Sequence, residues 1–175
     1  MIDTGQLLLA EYEQIKQEQR ARIGFRDNLL YATLAVMAAV IGSTLARGGH
    51  VEMLLLLPPL SVVLGWTYLV NDEKISAIGR YIRDELCPRL KELTSEQGDV
   101  FGWESAHRRD AHRRSRKRFQ LAVDLLTFCA APLAALAVYW ILGPAQWPLV
   151  VISLIEATVV IGLVVQVVRY AEFGA

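Results

Sequence analysis

The chain has 175 residues, 54% hydrophobic and 21% charged, with 18 Lys or Arg balanced by 18 Asp or Glu. A water-soluble domain interleaves apolar and polar residues at the period of a helix or strand; here the apolar residues are gathered into long blocks, which excludes an ordinary soluble globule and points to a membrane protein. Two cysteines and three histidines, with no metal-ligand spacing and no disulfide framework, lead us to expect no cofactor, no metal site and a reducing compartment.

In chain order, residues 1–27 are polar and mixed in charge, and no cleavable signal peptide is evident. Within "LLLAEYEQIKQEQRARI", Leu8, Tyr12, Ile15, Gln19 and Ile23 recur at three- or four-residue spacing, the mark of an amphipathic helix. A lone Gly24 does not end a helix, so one helix is expected from about Thr4 to Ala46. Its second half, Leu29–Ala46, is an uncharged run of 18 residues. A short connector, 47–52, leads to a second such run, Met53–Val70. Next comes "NDEKISAIGRYIRDELCPRLKEL", a predicted amphipathic helix with Ile75, Ile78, Ile82 and Leu86 on one face. Asn71 or Asp72 is its expected N-cap and Pro88 its expected break. Residues 94–104 read as a loop, and Ser105 as the cap of a helix running into the third apolar run, Leu125–Leu142. The connector Gly143–Gln146 is again short, and Trp147–Val168 is the fourth run, interrupted by Glu156 and Gln166.

Each run is long enough to cross about 30 Å of hydrocarbon at 1.5 Å per residue. The expected fold is all-α: an integral membrane four-helix bundle of two transmembrane hairpins, 28–70 and 119–168, with helical cytoplasmic extensions at 1–27 and 71–118 and a tail at 169–175. Trp66, Tyr68, Tyr139, Trp140 and Trp147 fall near predicted ends, where amphipathic rings favour the interface. Four Lys or Arg lie in residues 1–28 and twelve in 71–118, against one in the two hairpin connectors. By the positive-inside rule both termini and the central stretch are cytoplasmic. The two halves share a plan of charged helix, span, tight connector and returning span, and "RDNLLYA" parallels "VDLLTFC", as a parallel duplication would produce.

Glu156 is the residue to explain. A carboxylate at helix centre costs on the order of 3 kcal/mol on insertion scales, so such groups face a bundle interior or a water-filled cavity. Two roles are open. A protonated Glu156 hydrogen-bonds to Ser61, or to the Phe128 carbonyl that Pro132 leaves without a donor, and holds helices together. Alternatively, several copies around an axis form a carboxylate ring that attracts cations. Gln166 is the other intramembrane polar side chain of the fourth run. Asp27 and Asp124 stand at the edges of apolar runs and are expected to make interface ion pairs, Asp124 with the cations a turn or two away.

The stretch "HRRDAHRRSRKR" supplies Arg108, Arg109, Arg113, Arg114, Arg116, Lys117 and Arg118. A juxtamembrane cluster of this density attracts anionic lipid or another phosphate, each charge adding about 1 kcal/mol near the surface. Specific nucleic-acid binding is not expected. Phe101 and Trp103 are expected to dock on the stalk or membrane surface. Ala35, Ala39 and Ser43 form one row of small residues and Ala38, Gly42 and Ala46 another; Ser61 and Gly65 supply a third, and Ala130, Ala131, Ala134 and Ala135 line the third run. Such rows let helices approach closely in lipid. Of the two rows in the first span, one is expected to serve the protomer and the other a neighbouring copy.

No P-loop, HExxH, paired CxxC or Gly-x-Ser-x-Gly is present, and no enzyme is expected. "EYEQIKQEQRARIGFRDNLLYATLAV", "LPPLSVVLGWTYLVNDEKISAIGRYIRDEL" and "FGWE" resemble a group of small, largely uncharacterised four-span bacterial membrane proteins. The similarity spans most of the chain and carries no catalytic residue. In layout alone the chain also resembles the multi-span membrane effectors of bacterial antiphage systems, which implies a triggered perturbation of the membrane. The expected function is therefore a homo-oligomeric bacterial inner-membrane protein that conducts ions, or perturbs the membrane as a regulated defence effector. The alternative is a scaffolding subunit whose cytoplasmic stalk binds a partner protein, without conductance.

Overall fold

A computed structural model describes residues 3–93 and 113–173. In chain order its elements are α1 (Thr4–Leu45), a 3-10 helix (Val51–Leu56), α2 (Leu57–Tyr81), a π turn (Ile82–Leu86), α3 (Cys87–Glu92), α4 (Arg113–Leu125), a second π turn (Leu126–Ala130), α5 (Ala131–Leu142) and α6 (Trp147–Phe173). Several of these join end to end, leaving four rods. All four are long and apolar enough to cross a membrane. Among the described residues there is no strand. The end of the bundle bearing the hairpin connectors is mostly apolar; the opposite end, where α1 begins and α6 ends, carries most of the charge among the described residues.

The continuous helix expected from Thr4 ends at Leu45, passing Gly24 without interruption. Its reversal needs a left-handed residue, supplied by Gly48 at φ +76°. Prolines explain the three departures from α geometry. Pro58 and Pro59 have no N–H for the carbonyls of Leu54 and Leu55, and the turn before them winds more tightly, with the Leu57 N–H on the Leu54 carbonyl. Pro88 and Pro132 would press on the carbonyls of Asp84 and Phe128. In each case one wide turn relieves the clash, the Cys87 N–H reaching back to Ile82 and the Ala131 N–H to Leu126. Pro88 therefore bends nothing to a stop, contrary to expectation. Nor do Asn71 and Asp72 cap a helix, because α2 runs straight through them.

α2 is the central rod. Within the most apolar 18-residue window of each rod, 44% of residues are buried for the rod containing α2, against 17% for α1 and for α6. Nearest the charged end, Leu29, Tyr68, Leu69, Phe128, Cys129, Leu163 and Val167 form one buried cluster. Towards the connectors, Met37, Leu54, Leu57 and Ala135 form a second, and Leu55, Leu136 and Tyr139 a third. Gly65 is the point of closest approach: a Cβ there would lie 3.0 Å from Phe128 Cδ1 and 3.1 Å from Leu163 Cδ2. The Ser61–Gly65 row thus packs inside the protomer, with Ser61 fully buried.

The rows of the first span do not behave as expected. Ala35, Ala38, Ala39, Gly42, Ser43 and Ala46 are all exposed, and α1 meets α2 through Leu29, Thr33 and Met37 instead. Thr33 can be buried in this seam because its hydroxyl donates to the Leu29 carbonyl of its own helix at 2.8 Å. The alanines of the third run divide, Ala135 buried and Ala130 and Ala134 exposed. Of the aromatic rings expected at the interface, Trp66, Trp140 and Trp147 are exposed, while Tyr68 and Tyr139 belong to the core. Tyr139 is buried because its hydroxyl has a partner, the Pro144 carbonyl at 3.0 Å. The expected loop 94–104, with Phe101 and Trp103, and the Ser105 cap lie outside the described residues.

The Gly65 contact makes a contrast that can be measured. Gly65→Leu is expected to destabilise the bundle by about 1–3 kcal/mol through overpacking. Gly24→Ala, where a Cβ meets nothing within 4 Å, is expected to stabilise it by up to about 1 kcal/mol through helix propensity. Thermal transitions of the two variants in the same detergent micelle check the sign of each.

Candidate functional site

Polar side chains sew α1 to α2 along the charged end. The Asn71 amide donates to the Arg22 carbonyl at 2.6 Å and accepts from the Arg22 guanidinium at 3.3 Å. Four residues along α1, the Arg26 guanidinium donates to Asp72 at 2.7 Å and also lies 3.3 Å from Asp27. Further out the Tyr81 hydroxyl donates to Glu11 at 2.6 Å. Both titratable groups lie outside the apolar runs 29–46 and 53–70. Burial pulls the Arg26 guanidinium down, but the hydrogen bond and charge of Asp72 outweigh it and hold it above the ordinary arginine value. The bond to Glu11 raises the Tyr81 phenol.

On the opposite side of α2 a pocket of about 480 Å³ opens where α2, α4 and α6 meet. Each helix contributes a stripe at helical spacing: Asp72, Glu73, Ser76 and Arg80 from α2, Lys117, Gln120 and Asp124 from α4, and Gln166, Arg169 and Tyr170 from α6. Leu69, Leu121 and Val167, at the margins of the apolar runs, make its apolar wall. The helices are set at this separation by the ring of Tyr68, which packs on Phe128 at 5.1 Å and hydrogen-bonds to Asp124 and Gln120 through its hydroxyl. Three cationic and three acidic side chains line one cavity, and Asp72 is already engaged with Arg26.

Glu156 stands apart from this pocket, at the middle of the apolar run of α6. It is half-buried on the face that also carries Ser153 and Val160. Its Oε2 is buried and has no hydrogen-bond partner among the described residues. Ser153, one turn away, is already committed: its hydroxyl donates to the Val150 carbonyl at 2.8 Å and accepts from the Trp140 indole N–H at 2.9 Å. The expected bond from Glu156 to Ser61 or to the Phe128 carbonyl is not formed at Oε2. Leaving such an atom unpaired costs about 1–3 kcal/mol.

Of the residues singled out from sequence, Asp124, Gln166 and Lys117 come together in the pocket, joined by Asp72, Glu73, Arg80 and Arg169. Asp124, expected to pair with the cations at 116–118, hydrogen-bonds to Tyr68; the side chain of Arg116 lies outside the described residues. Asp27 pairs with its neighbour Arg26 as an edge-of-run carboxylate should. Arg118 is exposed and does not line the pocket. Arg108 and Arg109 lie outside the described residues, and so do the side chains of Arg113, Arg114 and Arg116. Arg169 escaped sequence reasoning as the lone cation of its stretch, and Arg80 as one of several cations spread along residues 71–93. The signal was nonetheless present: residues 117, 120 and 124, and 166, 169 and 170, repeat polar groups on single helix faces. No group of three or more His, Cys, Asp or Glu side chains clusters as a metal site among the described residues, and neither Cys87 nor Cys129 is in a disulfide.

No family model, curated relative or solved structure matches the chain.

The Arg26–Asp72 pair offers a direct test of the seam. Arg26→Gln is expected to destabilise the bundle by about 1–2 kcal/mol, because it leaves the Asp72 carboxylate without its charged donor. In a double-mutant cycle with Asp72→Asn, the coupling energy is expected to reach about 1 kcal/mol. Additive effects of the two substitutions would remove the pair from the forces joining α1 to α2.

Proposed function

We propose that the chain is a multi-pass protein of the bacterial inner membrane that assembles with copies of itself and conducts ions or compromises the barrier. Both termini and residues 71–118 face the cytoplasm. Twelve Lys or Arg in that central stretch, against one in the two connectors, support this orientation. The connectors then face outward, and a cysteine placed at Gln146 in a background lacking Cys87 and Cys129 is expected to react with an impermeant maleimide from outside the cell. Protection there, with labelling only after lysis, would reverse the topology.

The observation that carries the activity is the buried, unpartnered Oε2 of Glu156. Glu156 as a whole is half-buried, and a carboxyl group at this place in an apolar helix, with one oxygen unpaired among the described residues, favours water, an ion or a second copy beside its accessible part. The shallow burial of α1 and α6 agrees with a surface that closes against neighbours. So does the exposed row Ala35–Ala39–Ser43 beside Gly42, where added atoms meet nothing within the protomer. In the assembly Glu156 lines the path, and a ring of such carboxylates selects for cations. The resemblance in layout to antiphage effectors supports a trigger sensed at the cytoplasmic end.

Glu156→Gln is expected to lower cation flux through proteoliposomes about tenfold, equivalent to about 1.4 kcal/mol in the barrier. Assembly, followed by sedimentation in detergent, is expected to be unchanged. Equal flux in the two proteins would take Glu156 out of the conduction path.

A second reading has one observation in its favour. The stalk formed by α1 and α2–α3 ends in exposed Leu7, Leu9 and Leu93, an apolar tip suited to a protein partner in the cytoplasm. A scaffold of this kind retains its partner after Glu156→Gln and carries no current at all.

A further inference from the structure

α1 packs on α2 through Leu29, Thr33 and Met37, and the face it leaves bare carries a repeat of its own. Starting at Leu7 and stepping alternately three and four residues, twelve positions run to Leu45, and every one is exposed. In the charged half the stripe passes through Leu7, Ala10, Gln14, Gln17, Ala21 and Gly24. Asn28 stands at the edge of the apolar run, and inside the run the stripe continues through Ala35, Ala38 and Gly42. None of the twelve is charged, although eight of the 25 residues from Thr4 to Asn28 are Asp, Glu, Lys or Arg.

Lipid accounts for an uncharged face inside the apolar run, where no face is charged. It does not account for the same face continuing from Gly24 back to Leu7, where Glu13, Glu18 and Arg20 are exposed on either side of it. Uncharged residues every 3.5 positions with charges beside them make a coiled-coil stripe. A straight helix drifts from that repeat by about 20° per seven residues, and two helices wind left-handed to stay in contact along it. Gly42 is a second, independent sign. Glycine costs a helix about 1 kcal/mol relative to alanine, and a Cβ on Gly42 would meet nothing within 4 Å, so packing inside the protomer does not call for it. A second backbone lying against the stripe does. The stripe is also large enough. It is about 57 Å long, and a strip about 10 Å wide on each of two helices amounts to roughly 1,100 Å², against about 1,000 Å² for a specific interface.

We propose that α1 pairs in parallel with α1 of a second copy, as one left-handed coiled coil running from the charged end through the apolar run. Copies in one membrane stand the same way up, so a two-fold axis along the membrane normal relates them and each stripe residue meets its own counterpart. The two Asn28 amides then hydrogen-bond to each other and fix the register. Beside the stripe Glu13 approaches Glu18 of the second copy, whose charge Arg22 already offsets at 2.6 Å. The pairing rests on the self-assembly proposed above and names a surface for it; Glu156 and ion flux do not enter it.

The test is cysteine cross-linking in native membranes. In the full chain lacking Cys87 and Cys129, single cysteines replace Gln14, Gln17, Ala21 and Gly24 on the stripe, and Leu9 and Ile23, equally exposed but beside it. After oxidation with copper phenanthroline, dimers are counted on non-reducing gels. A disulfide needs Cα atoms within about 7 Å, a distance the coil offers along the stripe. Yields at 14, 17, 21 and 24 are expected to exceed those at 9 and 23 about tenfold. Ala38→Leu is expected to lower the yield at 21 about tenfold, whereas Ala134→Leu, at an exposed position of α5, leaves it unchanged. Even yields at all six positions, or higher yields at 9 and 23, would overturn the pairing. With either result, an oligomer in detergent sedimentation leaves the self-assembly in place on another surface. A monomer in detergent with no disulfide in membranes overturns both. Stripe disulfides in a protein that carries no cation flux uphold the pairing and remove only conduction.

Discussion

Gly65 is the hinge on which the arrangement turns. With no side chain there, α2 comes close enough to the second π turn and to α6 for Phe128 and Leu163 to touch its backbone face. Everything useful at the charged end follows from that approach. One turn on from Gly65, Tyr68 meets Phe128 and reaches Asp124; two turns on, Asp72 and Glu73 stand opposite α4 and α6. The contact closes the apolar core at one level, and the helices, still side by side but now bearing long polar chains, leave a cavity at the next. A tight apolar crossing and a polar pocket are two consequences of one geometry.

Proline shapes the rods without ending them. A missing N–H and a crowded carbonyl have two remedies, a tighter turn or a wider one. The chain uses the first ahead of Pro58 and Pro59 and the second ahead of Pro88 and Pro132. Each wide turn rotates the residues beyond it relative to those before. At the second π turn this puts Thr127, Phe128 and Cys129 into the core together, three consecutive buried residues where a regular helix would alternate. The Phe128 ring that meets both Gly65 and Tyr68 owes its position to Pro132.

Polar groups divide into two kinds. Those at the charged end are satisfied across helices: Asn71 on Arg22, Asp72 on Arg26, Tyr81 on Glu11. They lie where water competes, and they fix the pairing of α1 with α2. Glu156 is the contrary case, a carboxyl placed where apolar atoms surround it and left with an unanswered oxygen. Structural polar groups are normally completed inside their own fold. Oε2 of Glu156 is not, although the protomer itself encloses it.

Hydropathy and charge spacing made much of this legible in advance. The four apolar runs, the unbroken first helix through Gly24 and the solitary Glu156 were all readable, because each depends on local composition or on the period of a single helix. The faces of α1 were not: Ala35, Ala39 and Ser43 are packing residues by type, yet they point away from α2, since which face a helix turns inward is set by its partner's surface. Nor could the path of the chain through Pro88 be read, because a break and a π turn answer the same clash; the π turn found here leaves Ile82 and Leu86 fully buried. The pocket shows the division best. Sequence alone determined that Asp124 sits at the edge of an apolar run, that Gln166 interrupts another and that Lys117 belongs to a basic stretch. That these meet Arg80, Arg169 and Glu73 in one cavity was decided by tertiary structure, because residues dozens of positions apart converge only when three helices cross at a fixed angle and rotation.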